Sequence, residues 1–494
     1  MDQFFARVLS SIYRIMCNKY MQKLPRCKNG TRRVGADCVP HVKPVAAVSK
    51  SPIVVTVAAK RARVKATTTK RKRKPSGKLD KKLVGKLRGL LVNVTARQKS
   101  LLSVVCKNPN NCLALGRYDD VVKSYFAGFA NFDYVTEVTK LSEGYNGVVM
   151  KVNYENAGVH ACTVLKINGR NEADNLYYEW YVGKHFINHL TKLFPCFVET
   201  YGLYKLNAGV TAKTITKKDL NEMTNVENIS IGDTCKFNKQ LALVCQYYED
   251  SVTFTTYIRK VDDVYPNIYN LLYQVFFALS LIKNYYTHYD LHTNNVILYK
   301  PFSYKRYITM NYHAPSGKIV YSFKSEYICK IIDYGRNYFD TLLFKNGTRK
   351  FKNSSEILQA VVNEPKLCPN NGIKKGYESL SGALHPHFKP TRRNMGADLF
   401  LMKDLYYEMG NNLPIKYPFL DNIRFSPEDC KPHKTPILTC VSDYCSNKAF
   451  MNKVRQINAQ LTEKYYATWT EAAVMNIYSD GKPYTFELTG AGAA

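Results

Sequence analysis

The first 100 residues contain no glutamate and only three aspartates, against 26 lysines and arginines. That shortage of acid leaves +23 on the front of the chain, while the remaining 394 residues carry +9 of the formal +32. Aromatic side chains are missing from residues 60–88, where 14 Lys and Arg meet the single Asp80 around "KRKRKP". A stretch of this composition cannot bury enough apolar surface to fold by itself. Without aromatics it has nothing on which single-stranded bases could stack. Sequence-independent binding of duplex phosphates remains open to it, as do recognition by an import receptor and simple solvation.

Long apolar runs are missing too, since none approaches the roughly 18–20 residues that a membrane-spanning helix needs. A transmembrane protein is not expected. The 14 cysteines form no C-x-x-C pair and no Cys/His cluster at zinc-finger spacing, and no signal peptide precedes them. Mostly reduced thiols are therefore expected, in a chain that is not secreted. Cys27 and Cys38 flank a Gly- and Arg-containing loop and leave a cystine or a metal site open.

What is present divides the chain. Phe5, Val8, Leu9, Ile12 and Met16 recur at helical spacing, which predicts an amphipathic helix over 1–24 that docks on protein or on a membrane surface. A basic, mostly disordered arm is expected over 25–114 and a folded domain over 118–480, long enough for a large core.

Within that domain, "LSEGYNGVVMKV" (141–152) reads as strand, glycine turn, strand. A backbone that passes close over phosphates needs residues without Cβ, which Gly144 and Gly147 supply, although any tight hairpin uses glycine. The apolar strand "ACTVLKI" carries Lys166, either an outward-facing residue or a cation for nucleotide phosphates. Glu179 lies with Leu176, Gly183, Ile187 and Leu190 on one face of the next helix, where burial of a carboxylate calls for a cation. Glu172 lies nearer that helix's start, where the dipole alone explains an acid. The strand "LALVCQYY" (241–248) and an apolar helix over 266–286 lead into "THYDLHTNNVILYK" (287–300), with Asp290 and Asn295 five apart. That spacing fits either phosphoryl transfer or an ordinary turn. Asp333 then ends the strand in "ICKIIDYGRNYF", as a metal ligand or a turn residue.

In this fixed order the segments resemble the signature set of protein kinases over residues 135–410. The resemblance implies an α+β, two-lobed fold with a β-rich small lobe (118–245) and a mainly helical large lobe (250–480). It also implies ATP and magnesium as cofactors. Ser142, Gly144, Gly147 and Val149 match the phosphate loop, with Ser142 in place of the usual first glycine. Lys166 and Glu179 match the phosphate-positioning ion pair, and the backbone near Gln246 to Tyr248 the adenine contact. Asp290 matches the catalytic Asp, Asn295 and Asp333 the metal ligands, and Asp398 the Asp that braces the catalytic loop. Tyr289 replaces the usual Arg, His292 replaces the usual Lys, and no A-P-E follows "DYG". Regulation by phosphorylation of the activation segment is accordingly not expected.

Some sixty residues follow "DYG" instead, including "EPKLCPNNGIKKGY" (364–377) before "NMGADLFLMKDL" (394–405), and this segment, together with "YEWYVGKHFINHL" and the "RCKNGTRR" loop, resembles the divergent serine/threonine kinases of large nucleocytoplasmic DNA viruses, iridoviruses among them. The resemblance thereby implies a virus-encoded, virion-packaged enzyme acting on Ser/Thr of a protein substrate in host cytoplasm or nucleus, with an arm on nucleic acid. A kinase of small molecules or lipids, suggested by His292 and the missing A-P-E, and an inert kinase-fold protein that binds DNA are the alternatives.

Overall fold

The computed structural model describes residues 31–34, 37–40, 100–106, 112–143, 147–168, 174–207, 215–230, 240–260, 267–340, 352–357, 393–409 and 438–490, together with 209, 210, 233 and 237. The helix expected over 1–24, the basic run 60–88, Cys27, Gly144 and Glu172 lie outside these residues. The chain is mixed α+β with several antiparallel sheets. Contacts divide it into two units, Arg14–Ala96 and the remainder.

In the smaller unit the described residues form one hairpin, β1 (Thr31–Val34) against β2 (Asp37–Pro40), with Arg33 opposite Cys38. The expected unstructured arm therefore contains a pair of strands.

The larger unit is built around a six-stranded sheet. In chain order its strands are β3 (Val135–Glu143), β4 (Gly147–Asn156), β5 (Val159–Asn168), β6 (Thr200–Lys205), β7 (Thr224–Asn225) and β8 (Leu241–Gln246). Their spatial order is β3-β4-β5-β8-β6-β7, all antiparallel. Along β4, Val148, Met150, Val152 and Tyr154 are buried and alternate with less buried residues, the period of a strand with one face on the core. Ala157 and Gly158 join β4 to β5 with φ of 47° and 81°, the left-handed pair that a two-residue hairpin needs. Every residue of β8 is buried.

Helix α1 (Arg117–Tyr125) precedes this sheet, and α2 (Asp174–Val182) packs against β6 and β8. After α2 the chain widens into a π-turn over Gly183–Ile187. A Cβ on Gly183 would stand 2.1 Å from the Thr200 hydroxyl oxygen, so glycine is what lets this turn approach β6.

Beyond β8 come β9 (Val252–Thr253), α3 (Phe254–Lys260) and α4 (Ile268–Ile282), a helix apolar almost all round and buried along its length. Next are β10 (Tyr286–Thr287), β11 (Val296–Tyr299), β12 (Arg306–His313), β13 (Ile319–Ser325), β14 (Ile328–Ile331) and β15 (Tyr338–Phe339). Helices α5 (Phe400–Met409) and α6 (Lys448–Tyr465) follow, then β16 (Thr470–Tyr478) and β17 (Thr485–Leu488).

Three departures from the sequence reading stand out. First, the region expected to be mainly helical holds a four-stranded sheet, β13-β12-β16-β17, in which β12 runs parallel to β16. Its strands carry period-two burial, as in "RYITMNYH", with Ile308, Met310 and Tyr312 inside. Second, packing extends past 118–480 at both ends. Leu102, Val105 and Leu115 are buried in the same core as Phe486, and the Gly116 N–H donates to the Tyr484 hydroxyl at 2.7 Å. Third, not all described cysteines are thiols. Cys106 and Cys112 are joined, because the Leu113 N–H donates to the Val105 carbonyl (2.6 Å) and brings the two Cα atoms to 4.0 Å. Cys440 is also bridged, whereas Cys162, Cys196, Cys245, Cys329 and Cys445 are free. Among the described residues no helix is long and apolar enough to cross a membrane.

Candidate active site

Strand pairing sets one row of residues across the six-stranded sheet: Ser142 opposite Val149, Val149 opposite Lys166, Lys166 opposite Leu243. Directly opposed residues of antiparallel strands project to the same face. Gly147, paired with Asn168, stands two positions along the β4/β5 ladder from the Val149–Lys166 pair. The Lys166 ammonium is hydrogen-bonded to Glu179 Oε1 from α2, the partner expected of it.

A second pair of strands brings the backbone at Asn295 close to the turn at Asp333. β11 begins immediately after Asn295 and β14 ends two residues before Asp333, and the two strands are antiparallel with Val296 opposite Ile331. The end of one therefore lies at the start of the other, and the Ile332 N–H donates to the Asn295 carbonyl at 3.0 Å. Asp333 has a φ of 67°, a left-handed conformation that a non-glycine residue holds only when its surroundings enforce it. Tyr334 supplies that enforcement: buried, its hydroxyl donates to the Ile331 carbonyl (2.8 Å) and accepts from the Val198 N–H (2.8 Å). Its own N–H donates to Glu179, which links α2 to the Asp333 turn.

The loop between β10 and β11 is fixed from below. Asp398 accepts the N–H groups of His288 and Tyr289, both at 2.9 Å, and Tyr289 takes a φ of 64°. Asp404, not singled out in the sequence, accepts from the Thr293 N–H (2.8 Å) and hydroxyl (2.7 Å). His288 is buried with Nε2 3.0 Å from the Ile332 carbonyl, so it ties the loop to the strand before Asp333. Asn295 Nδ2 donates to the Asp290 carbonyl at 2.8 Å, which leaves its Oδ1 as the atom it can offer a cation. The Asp290 carboxylate meets Arg336 Nη1 at 3.2 Å and lies 3.9 Å from His292 Nε2. Arg336 was also missed by the sequence reading; its signal is the residue following "DYG".

Charge states follow from these contacts. Burial works against the Lys166 charge, but the Glu179 and Asp333 carboxylates outweigh it and raise its pKa, so it keeps its proton. Burial likewise works against the Asp333 charge, yet Lys166, His288, Arg336 and the Gly335 N–H hold its carboxyl below the ordinary range. Burial pulls His288 down to about 4, which keeps the imidazole neutral near pH 7. It pushes Asp398 up to about 7 against the two N–H donors.

Gln246 and Tyr248 stand at the end of β8, but their side chains are committed elsewhere. Gln246 Nε2 donates to the Ala114 carbonyl (3.3 Å), its Oε1 accepts from the Tyr248 hydroxyl (2.6 Å), and its backbone N–H is taken by the Glu199 carbonyl. The side chains of these two residues are thereby engaged within the protein.

Among the described residues no three His, Cys, Asp or Glu side chains gather as a metal site. Asn295 and Asp333 nonetheless suit magnesium, which takes one or two protein oxygens and completes its shell with substrate phosphates and water. No protein-family model matches the chain, and no curated protein matches it either.

Proposed function

We propose that the chain is an ATP- and magnesium-dependent protein kinase that phosphorylates serine or threonine, with a two-lobed kinase-like architecture. One observation carries the reading: the antiparallel β11/β14 pair holds Asn295 beside the Asp333 turn, while Glu179 bonds both to Lys166 and to the backbone of Tyr334. Two loops and a sheet thus bring Lys166, Glu179, Asn295 and Asp333 into one neighbourhood, which supports the reading.

Lys166 neutralises phosphate oxygens, Glu179 fixes its position, and Asn295 and Asp333 hold magnesium, which when bound offsets phosphate charge. Asp290 orients the acceptor hydroxyl. The hydroxyl oxygen bonds to the γ-phosphorus as the bond from that phosphorus to its bridging oxygen breaks and the electron pair leaves with ADP. The hydroxyl proton passes to Asp290 and then to water. Because the transition state is loose, positioning and charge neutralisation supply most of the acceleration.

The test is magnesium-dependent transfer of labelled γ-phosphate to protein substrates, with lipids and small molecules as parallel acceptors. Label in protein serine or threonine supports the reading. Label confined to small molecules or lipids replaces it with the rival kinase class, and no turnover leaves the inert scaffold.

The basic run 60–88 belongs to the same proposal as a duplex-binding arm. If about half of its basic residues engage phosphates, log affinity falls with log salt at a slope near −6. Deleting residues 1–88 should abolish that binding. A flat salt dependence would assign the run to a protein partner.

A further inference from the structure

The kinase reading gives Arg336, which also helps keep Asp333 ionised, no contact with substrate. Arg336 reaches Asp290 from three residues beyond Asp333, with Nη1 3.2 Å from Oδ2. Its side chain is 25 % exposed and that of Asp290 15 %, so the pair is only partly open to solvent. Asp290 is its one ion-pair partner among the described residues.

An acceptor hydroxyl that hydrogen-bonds Asp290 competes with Arg336 for the same carboxylate oxygens. Once displaced, the guanidinium is a partly buried fork of donors without its carboxylate, and its planar geometry suits another carboxylate or a phosphate. A substrate with an anionic side chain beside the acceptor supplies that anion and makes the exchange favourable. A substrate with lysine there puts two cations together.

Sequence charge agrees. From Arg336 to Arg393 the chain has 11 Lys and Arg against 4 Asp and Glu, which is +7 of the +9 carried by residues 101–494.

We propose that Arg336 is a specificity-determining residue, and that the substrates are serine or threonine residues flanked by an anionic side chain, either Asp/Glu or a residue already phosphorylated. This rests on the kinase reading. The same chemistry serves both sources of charge, and the experiment separates them.

Full-length protein is assayed on peptides with one acceptor serine flanked by Asp, phosphoserine, Ala or Lys at each position from −3 to +3. Anionic flanks should raise kcat/KM at least about tenfold over lysine at one position or more, the size of one charge-assisted hydrogen bond. Whether Asp or phosphoserine gives the larger gain names the source. Arg336→Ala should erase the ratio between anionic and lysine flanks, Arg336→Glu should invert it, and Arg336→Lys should retain part of it. Equal kcat/KM for all flanks in the wild type overturns the inference and leaves the kinase reading standing. A loss in Arg336→Ala that is the same for every flank also overturns it, because the guanidinium then serves the transferred phosphoryl group. Absence of transfer to any peptide or protein overturns both.

Discussion

In the six-stranded sheet every neighbouring pair is antiparallel and β4 turns into β5 through two residues; in the four-stranded sheet β12 finds β16 far along the chain, Arg306 pairing with Thr470. The first sheet carries Lys166 in its interior opposite the Glu179 of α2, whereas the second is lined by Ile308, Met310, Tyr312, Ala473, Met475, Ile477 and Phe486. Burying a charge is costly unless it is paired, so a sheet that retains such a pair is under a constraint that an apolar sheet is not. The contrast separates a sheet that holds a buried ion pair from one whose interior is apolar. Turnover should be sensitive to the first and stability to the second.

The strongest break of that contrast comes from the charges. Asp290→Asn keeps the shape of the side chain and removes the acceptor of the hydroxyl proton. Turnover should fall at least about a hundredfold, as when other electrostatic stabilisers are removed, with the unfolding midpoint close to wild type. Met475→Ala in the second sheet should do the reverse. Truncating a fully buried methionine costs about 2–5 kcal/mol of stability, read from urea unfolding, while kcat per folded molecule stays at the wild-type level. Equal loss of kcat in both variants would erase the distinction.

Gly183→Ala joins the two effects. Its Cβ collides with Thr200, so overpacking of about 1–3 kcal/mol is expected, and because the π-turn continues the helix of Glu179, kcat should fall as well. Adding Thr200→Ala should restore part of both. No change in stability for Gly183→Ala would show that the turn yields without strain.

The smallest effect is one of pH. His288 has a folded pKa of about 4 against an ordinary 6.5, so its neutral form is favoured on folding. The contribution is fully present above pH 6.5 and is lost as pH falls towards 4, because only the unfolded chain takes up the proton in that window. Between pH 7 and 5 the loss is on the order of 2 kcal/mol. His288→Gln should flatten that part of the profile in urea titrations at successive pH values; an unchanged profile would mean that His288 does not stay neutral.

How far the sequence foretold this follows from the same contrast. β4, β5, β8, α2 and α4 were legible because each announces itself within one window, by alternation, by a glycine turn or by an apolar stripe. The Lys166–Glu179 pairing was legible because a buried carboxylate needs a cation and one lay on a preceding strand. Asp398 was also singled out as a brace for the loop that holds Asp290, and it does accept two N–H groups there. The second sheet was not legible, since its parallel β12/β16 edge depends on residues that no local pattern connects. Arg336 and Asp404 escaped for a similar reason. An arginine after a glycine and an aspartate on a helix are ordinary in sequence, and only the fold sets them against Asp290 and Thr293.

The central claim is that Asp333 is an ionised metal-holding carboxylate in a phosphoryl-transfer site. It is tested most directly by measuring γ-phosphate transfer to protein as magnesium is titrated, for the wild type and for Asp333→Asn. The account predicts saturable, magnesium-dependent transfer in the wild type and none above background in the variant, with both proteins equally folded. Transfer by Asp333→Asn at the wild-type rate and magnesium requirement would contradict it.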